Sequence, residues 1–177
     1  MGYRVLVLLL PLLLMACSSD ESVVAPSPVP QFKAQLDIEK LWTARISDGV
    51  GEAYLSLKPA LTERWAFAAA IDGEVYKLDR KTGAREWRVD LDRKITGGVS
   101  AAYGMVALGS ANGEIIVLNE EDGSILWEKA LGGQIMSTPA FGSERLVVQT
   151  IDGRLHGLDR QDGKTVWLFD TSIPILT

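Results

Sequence analysis

Two residues that each occur once in the sequence, Cys17 and His156, limit the chemistry that this chain can perform. A single cysteine permits neither an internal disulfide nor a metal site made of several cysteines. A single histidine excludes a multi-histidine metal site and leaves a Ser-His-Asp triad only one candidate base. The carboxylates fall mostly in turn-like segments or beside tryptophans, and none stands out as paired. We therefore predict no catalytic residue, no metal site and no cofactor.

Cys17 lies at the end of an uninterrupted apolar run, Val5 to Ala16, behind Arg4. A helix that spans a bilayer needs about 20 residues, whereas a shorter apolar run behind a positive charge is typical of a secretory signal. Leu14-Met15-Ala16-Cys17 resembles the lipobox of bacterial lipoproteins. The resemblance implies cleavage before Cys17 and acyl chains on that residue. The alternative is a plain signal peptide followed by a chance cysteine.

The segment after the cysteine has the composition of a tether. Pro26, Pro28 and Pro30 lie among small and polar residues, and such a sequence favours an extended linker over a folded unit. Ser18 follows the cysteine, and the sorting rule of the lipoprotein family then implies the outer membrane. The predicted organisation is a signal peptide at 1–16, a lipidated cysteine with a flexible tether at 17–35, and a folded body at 36–177.

Three stretches of the folded body align without gaps at a spacing of 40 residues, and each ends on a tryptophan: Trp87, Trp127 and Trp167. Within each unit, short apolar runs alternate with turn residues, and no helical period is sustained. Four short strands in about 40 residues is the pattern of one β-propeller blade. The sequence therefore predicts an all-β fold with four-stranded antiparallel blades, placed at about 54–91, 95–131 and 135–170.

The second unit shows the pattern most clearly. Asn112-Gly113 is a two-residue hairpin signal, for which we predict a type I′ turn with positive φ at both residues. The four predicted strands of this unit are Gly97–Ala102, Met105–Ser110, Glu114–Leu118 and Ile125–Leu131.

Residues 39–46 have the pattern of a fourth strand that lacks the first three, with Trp42 at the tryptophan position. In propellers, an N-terminal strand of this kind completes the last blade. Three blades and one closing strand fall short of the roughly four to eight blades of a ring. We therefore expect an N-terminal part of a larger ring. Eight blades, the upper end of this range, is our expectation for the ring, although the repeat count itself sets no number. The alternative is self-assembly of several copies into a ring.

The unit Gly-x-(apolar)-x-x-Leu-Asp-x-x-(Thr/Asp)-Gly-x-x-x-Trp resembles the quinoprotein-type propeller repeat. The resemblance implies that Trp87, Trp127 and Trp167, and in part Trp42, dock between neighbouring blades. One branch of the superfamily consists of dehydrogenases that hold pyrroloquinoline quinone and calcium. The other includes the propeller lipoproteins of the outer-membrane β-barrel assembly machine (the BamB type), and the lipobox, the tether and the Trp42 segment are similar to that branch.

This second resemblance implies a non-catalytic scaffold, anchored by lipid on the periplasmic face of the outer membrane. It implies propeller loops that bind the periplasmic domains of the central β-barrel insertase, with unfolded outer-membrane proteins as further partners. Ile173, Pro174, Ile175 and Leu176 follow the last tryptophan segment and are candidate contact residues, or else the start of another blade. The net charge is −5 and no basic patch occurs, so nucleic acid is not an expected partner.

Two other functions remain open at this point. A quinone-dependent dehydrogenase would need a calcium site, a carboxylate base and stacking surfaces for the cofactor. An envelope propeller that binds peptides or polysaccharides would share both the anchor and the repeats. His156 aligns with Tyr76 and Ile116 in the repeat, so we predict a packed sheet residue and not a catalytic base.

Overall fold

The computed structural model describes residues 27–28, 36, 38–49, 51, 55 and 57–170 of the 177-residue chain. Cys17 and the candidate contact residues at 173–176 lie outside the described residues. The chain divides into two units, Met1–Ile38 and Glu39–Thr177, and every described strand belongs to the second. The described residues contain no helix of the length and apolar character needed to cross a membrane.

Three four-stranded antiparallel sheets follow one another along the chain, each in simple up-and-down order. The first blade consists of β1 (Ala60–Leu61), β2 (Trp65–Ala69), β3 (Glu74–Asp79) and β4 (Arg85–Asp90). The second consists of β5 (Ser100–Ala102), β6 (Met105–Gly109), β7 (Glu114–Asn119) and β8 (Ile125–Ala130). The third consists of β9 (Ala140–Phe141), β10 (Arg145–Gln149), β11 (Arg154–Asp159) and β12 (Thr165–Asp170). The prediction of an all-β fold with four-stranded antiparallel blades is confirmed.

The hydrophobic core lies between neighbouring blades. Side chains alternate between the two faces of a strand, and β7 uses both faces. Ile116 and Leu118 pack with residues of the first blade, whereas Ile115 and Val117 pack with residues of the third. All four side chains are fully buried, which explains why this strand is an unbroken apolar run in the sequence.

The first strand of the second blade is shorter than predicted, because β5 begins at Ser100 and not at Gly97. Gly97 and Gly98 are in close contact with neighbouring segments instead. A Cβ atom at position 97 would lie 2.8 Å from the carbonyl oxygen of Ser137, so Gly97 permits a close approach of the backbone. At position 98, a Cβ atom would collide with the side chain of Thr138.

The type I′ turn predicted at Asn112-Gly113 is wrong. Gly113 has a φ of +79°, whereas Asn112 is not among the described residues with positive φ. The amide of Gly113 donates to the carbonyl of Ser110 at 3.2 Å, and the amide of Ser110 donates to the carbonyl of Glu114 at 2.9 Å. These bonds close a three-residue loop, which needs left-handed backbone only at its last residue. The hairpins that end at Gly73 and Gly153 have the same pair of bonds.

Residues 39–46, the predicted closing strand, do not pair with any described strand. The alternation expected of a strand is nevertheless present. Trp42, Ala44 and Ile46 pack against the first blade, while the residues between them are exposed. The segment is therefore held by side-chain contacts and not by a hydrogen-bonded ladder.

Candidate functional site

The turn between the third and fourth strands of each blade is built in the same way. In the first blade, the amide of Gly83 donates to the carbonyl of Asp79 at 2.8 Å. The Asp79 carboxylate accepts bonds from the amides of Lys81 and Thr82, at 3.0 and 2.9 Å. The bonds from the Thr82 amide and hydroxyl are the main reason why the pKa of Asp79 lies below its ordinary value. Asn119 and Asp159 accept the equivalent bonds from Gly123 and Gly163.

These acidic turns therefore use their carboxylates to shape the backbone. Within the described ranges, no group of three or more His, Cys, Asp or Glu side chains is arranged to hold a metal ion.

Each of these turns contacts an indole from an earlier part of the chain. The indole comes from the preceding blade or, for the first blade, from residues 39–46. Three indole N–H groups donate to the carbonyl of the first residue after a third strand. The pairs are Trp42 with Arg80 (2.9 Å), Trp87 with Glu120 (3.1 Å) and Trp127 with Arg160 (3.0 Å). The three acceptors are spaced 40 residues apart, like the repeat itself. The chain thus makes the same contact at three successive boundaries.

A glycine lies beneath each of these indoles. A Cβ atom would lie 2.7 Å from the Trp42 ring at position 83 and 2.6 Å from the Trp127 ring at position 163. Sequence reasoning explained these glycines by turn geometry alone and missed their contact with the indole. The signal that could have revealed it is the constant separation of 36 residues from Trp87 to Gly123 and from Trp127 to Gly163.

Trp167 differs from the other tryptophans of the repeat. Its ring covers Gly157 of its own blade, and the residue is 41% exposed. Val166, Leu168 and Phe169, its neighbours in β12, are also exposed.

Two lysines reinforce the boundaries, and sequence reasoning missed both. The ammonium of Lys77 donates to the carbonyl of Glu120 at 2.9 Å, although only 5% of this residue is exposed. The same ammonium lies 4.2 Å from the ring centroid of Trp65, within cation–π range. At the next boundary, the ammonium of Lys129 donates to the carbonyl of Gly163 at 3.0 Å. Lys77 occupies the repeat position that Val117 holds in the second blade, so no sequence pattern marks it.

His156 lies in β11 and is 6% exposed, so the prediction of a packed sheet residue is confirmed. Its Nε2 atom is 3.4 Å from the hydroxyl oxygen of Thr150, and that hydroxyl donates to Asp152. Burial lowers the pKa of His156, and the nearby cations Arg154 and Lys129 lower it further, against the opposing effect of Asp152. Thr150 is itself buried, so this hydroxyl is not placed to attack a substrate.

Comparison with known proteins identifies relatives of this chain. The sequence model of a family described as outer membrane protein assembly factor BamB matches residues 71–177. Outer membrane protein assembly factor BamB of Yersinia pestis is 32% identical over 179 aligned residues, which cover 93% of this chain and 46% of that protein. The chain therefore spans less than half the length of this relative.

Solved structures show the same fold. The crystal structure of BamB from Moraxella catarrhalis matches with a TM-score of 0.61 and 25% identity, over 67% of this chain and 36% of that chain. A quinohemoprotein alcohol dehydrogenase from Pseudomonas putida HK5 matches with a TM-score of 0.57 over 63% of this chain and 20% of its own. Because its identity is 18%, this second likeness concerns the fold alone.

Proposed function

The chain belongs to the BamB family of outer membrane protein assembly factors, and on that basis we propose that it is a non-catalytic scaffold in the assembly of outer-membrane β-barrel proteins. The observation that carries the proposal is the family match over residues 71–177. This range includes the complete second and third blades and the last two strands of the first, β3 and β4.

The geometry supports a scaffold because the recurring residues all have structural tasks. Carboxylates shape turns, glycines make room for indoles, and indoles donate to backbone carbonyls. We assign Trp42, Trp87 and Trp127 to holding neighbouring elements together, and Trp167 to the same task by its place in the repeat. Rigid sheets with loops at their rims are well suited to present binding surfaces.

The proposed partner is the central β-barrel insertase, bound through its periplasmic domains by propeller loops. Ile173, Pro174, Ile175 and Leu176 are the proposed contact residues, and unfolded outer-membrane proteins are proposed as further partners. Acyl chains on Cys17 would hold the protein on the periplasmic face of the outer membrane. Each buried CH₂ contributes about 0.8 kcal/mol to anchoring, so two or more chains give a stable anchor.

A binding experiment tests the scaffold proposal. The periplasmic domains of the insertase from the source bacterium are immobilised, and binding of the whole chain is measured by surface plasmon resonance. We expect Ile175→Asp to weaken binding by at least about tenfold, because a charge in an apolar contact is desolvated without a partner. Ile151→Asp is the matched control, since Ile151 is an exposed isoleucine in a hairpin of the third blade.

Two results would contradict the proposal. One is the absence of binding to the insertase domains by the wild-type chain. The other is dye-linked oxidation of alcohols or sugars after addition of pyrroloquinoline quinone and calcium.

A further inference from the structure

The hairpin turn between β5 and β6 contains a tyrosine in an unfavourable backbone conformation. Ala102 pairs with Met105, so Tyr103 and Gly104 form a two-residue turn, with φ values of +57° and +75°. Positive φ at both residues is the type I′ pattern, which asparagine and glycine adopt at lower cost than a bulky residue. The tyrosine is also 58% exposed, so burial in a core does not explain its presence. Backbone strain of this kind is concentrated at functional sites.

The ring of Tyr103 is covered by an arginine from the following blade. The central guanidinium carbon of Arg160 lies 4.0 Å from the ring centroid. Two backbone hydrogen bonds fix the position of Arg160: its amide donates to the carbonyl of Glu144 at 3.1 Å, and its carbonyl accepts from Trp127. The backbone of Arg160 is therefore fixed at the boundary between the second and third blades, while its side chain remains able to rotate.

Two donors of this guanidinium have no acceptor among the residues that the structure describes. Nε and Nη1 of Arg160 are buried without a hydrogen-bond partner, a state that is costly for a charged group. The neighbouring Arg145 is satisfied, because it pairs with Asp159 at 3.3 Å and with Glu144 at 3.7 Å. Among the described residues, no carboxylate pairs with Arg160. Both nearby carboxylates thus pair with Arg145, and the buried donors of Arg160 have no acceptor among the described residues.

A cavity of about 340 Å³ opens beside this arginine, which is the size of a small ligand pocket. It is lined by Ser143, Glu144, Arg145, Asp159, Arg160 and Gln161. Two arginines and two acidic residues line it, so its net charge is close to zero. The two carboxylates repel any anion, and they repel a ligand with one negative charge less strongly than a doubly charged phosphate.

We propose that Tyr103 and Arg160 form a binding site for a carboxylate presented by a peptide segment of a partner protein. The carboxylate accepts hydrogen bonds from the guanidinium after a rotation of the side chain into the cavity, and the tyrosine ring contacts apolar atoms of the segment. Tyrosine and arginine are among the residue types that are enriched in the energetically dominant contacts of protein interfaces. The proposed site does not use residues 173–176, and the proposal does not depend on binding of the insertase.

Peptide binding to the whole chain tests this site. The probes are short fluorescein-labelled peptides of glycine and serine with one central leucine and one central aspartate, amidated at the C-terminus. A second peptide carries asparagine in place of aspartate, and a third carries asparagine and a free C-terminal carboxylate. Fluorescence anisotropy is expected to show at least about tenfold tighter binding of the aspartate peptide than of the amidated asparagine peptide, the size of one charge-assisted hydrogen bond. The third peptide tests whether a C-terminal carboxylate binds as tightly as the carboxylate of an aspartate side chain. Tighter binding of either one than of the amidated asparagine peptide supports the site.

Three variants test whether the peptide preference depends on Tyr103 and Arg160. Arg160→Gln is expected to abolish the preference for aspartate, while its backbone carbonyl remains available to Trp127. Tyr103→Gly is expected to weaken binding of all the peptides, and it should fold at least as well as wild type because glycine tolerates positive φ. Arg80→Gln, at the equivalent position of the first blade, should leave binding unchanged. Equal affinity of the wild-type chain for all three peptides, or an aspartate preference that persists in Arg160→Gln, would overturn the proposal.

Discussion

The indole of Trp127 lies so close to Gly163 of the following blade that a Cβ atom at position 163 would be 2.6 Å from the ring atom Cε3. The same indole donates from Nε1 to the carbonyl of Arg160 at 3.0 Å. Tryptophan supplies the contact area and the donor, and glycine supplies the space. The stability of the boundary between the second and third blades should therefore depend on both residues.

Gly163→Ala is expected to lower the free energy of unfolding by about 2–5 kcal/mol. The left-handed backbone at φ +70° contributes about 1–2 kcal/mol of this loss, and overpacking against the indole contributes about 1–3 kcal/mol. Gly104→Ala is the matched control, because Gly104 has a φ of +75° and a Cβ atom there would meet no other atom within 4 Å. It should lose only the backbone part, about 1–2 kcal/mol. Equal losses in urea titrations of the two variants would show that the indole contact is not tight.

Trp127→Ala is expected to cost about 3–5 kcal/mol of unfolding free energy, the usual range for removal of a packed aromatic side chain. Trp167→Ala should cost clearly less, because Trp167 is 41% exposed in the described structure. Chemical denaturation of the whole chain measures both values. A loss for Trp167→Ala that equals the loss for Trp127→Ala would contradict the difference in packing.

Lys77→Met is expected to change the free energy of unfolding by less than about 1.5 kcal/mol. Methionine retains most of the buried aliphatic stem, and the carbonyl of Glu120 still accepts a hydrogen bond from Trp87. Lys77→Ala should lose about 2 kcal/mol or more, because it leaves a cavity beside Trp65. If both variants are equally destabilised, the ammonium and not the stem dominates the contribution of Lys77.

His156 should make the third blade sensitive to mild acid. Its pKa is lowered in the folded protein, mainly by burial, from the ordinary value of 6.5. The unfolded chain therefore binds the proton more readily, and stability is lost as the pH falls below 6.5 towards the folded-state pKa. His156→Ile, which introduces the residue found at the equivalent position 116, should have a flatter stability profile between about pH 7.5 and 5. Parallel profiles for wild type and variant would exclude His156 as the source.

Cys17 is predicted to carry the lipid anchor. Cys17→Ala should abolish incorporation of radiolabelled palmitate in growing cells and leave the protein unprocessed or soluble in the periplasm. Ser19→Ala is a matched control, because it changes a neighbouring residue outside the lipobox. Palmitate labelling that persists in Cys17→Ala would refute the assignment.

The blades were predictable because their signal is local and repeated. A spacing of 40 residues, with glycine at turns and tryptophan in the last strand, identified all three sheets. The resemblance to the BamB type depended in addition on the lipobox, the tether and the Trp42 segment, and the family match confirms it. The Asn112-Gly113 turn was predicted wrongly, since the dipeptide suits both a two-residue and a three-residue loop. The hydrogen bonds of Ser110 and the backbone φ of Asn112 distinguish the two.

Contacts across boundaries were much harder to predict. Lys77 replaces an apolar residue of the repeat, and its burial depends on the carbonyl of Glu120, 43 residues away. Arg160 and Tyr103 lie in turns that the sequence predicts to be solvent-exposed. They come into contact because the second and third blades pack side by side.

The order of residues along the chain was enough to predict the all-β architecture, the blade repeat and the family, because turn residues and strand periodicity act over a few residues. The packing of the folded chain sets which turn receives each indole, which faces of each strand are buried, and which arginine is left without an acceptor. The physical reason is that these properties depend on distances between segments about 35 to 60 residues apart, which are set by the packing of one sheet against the next.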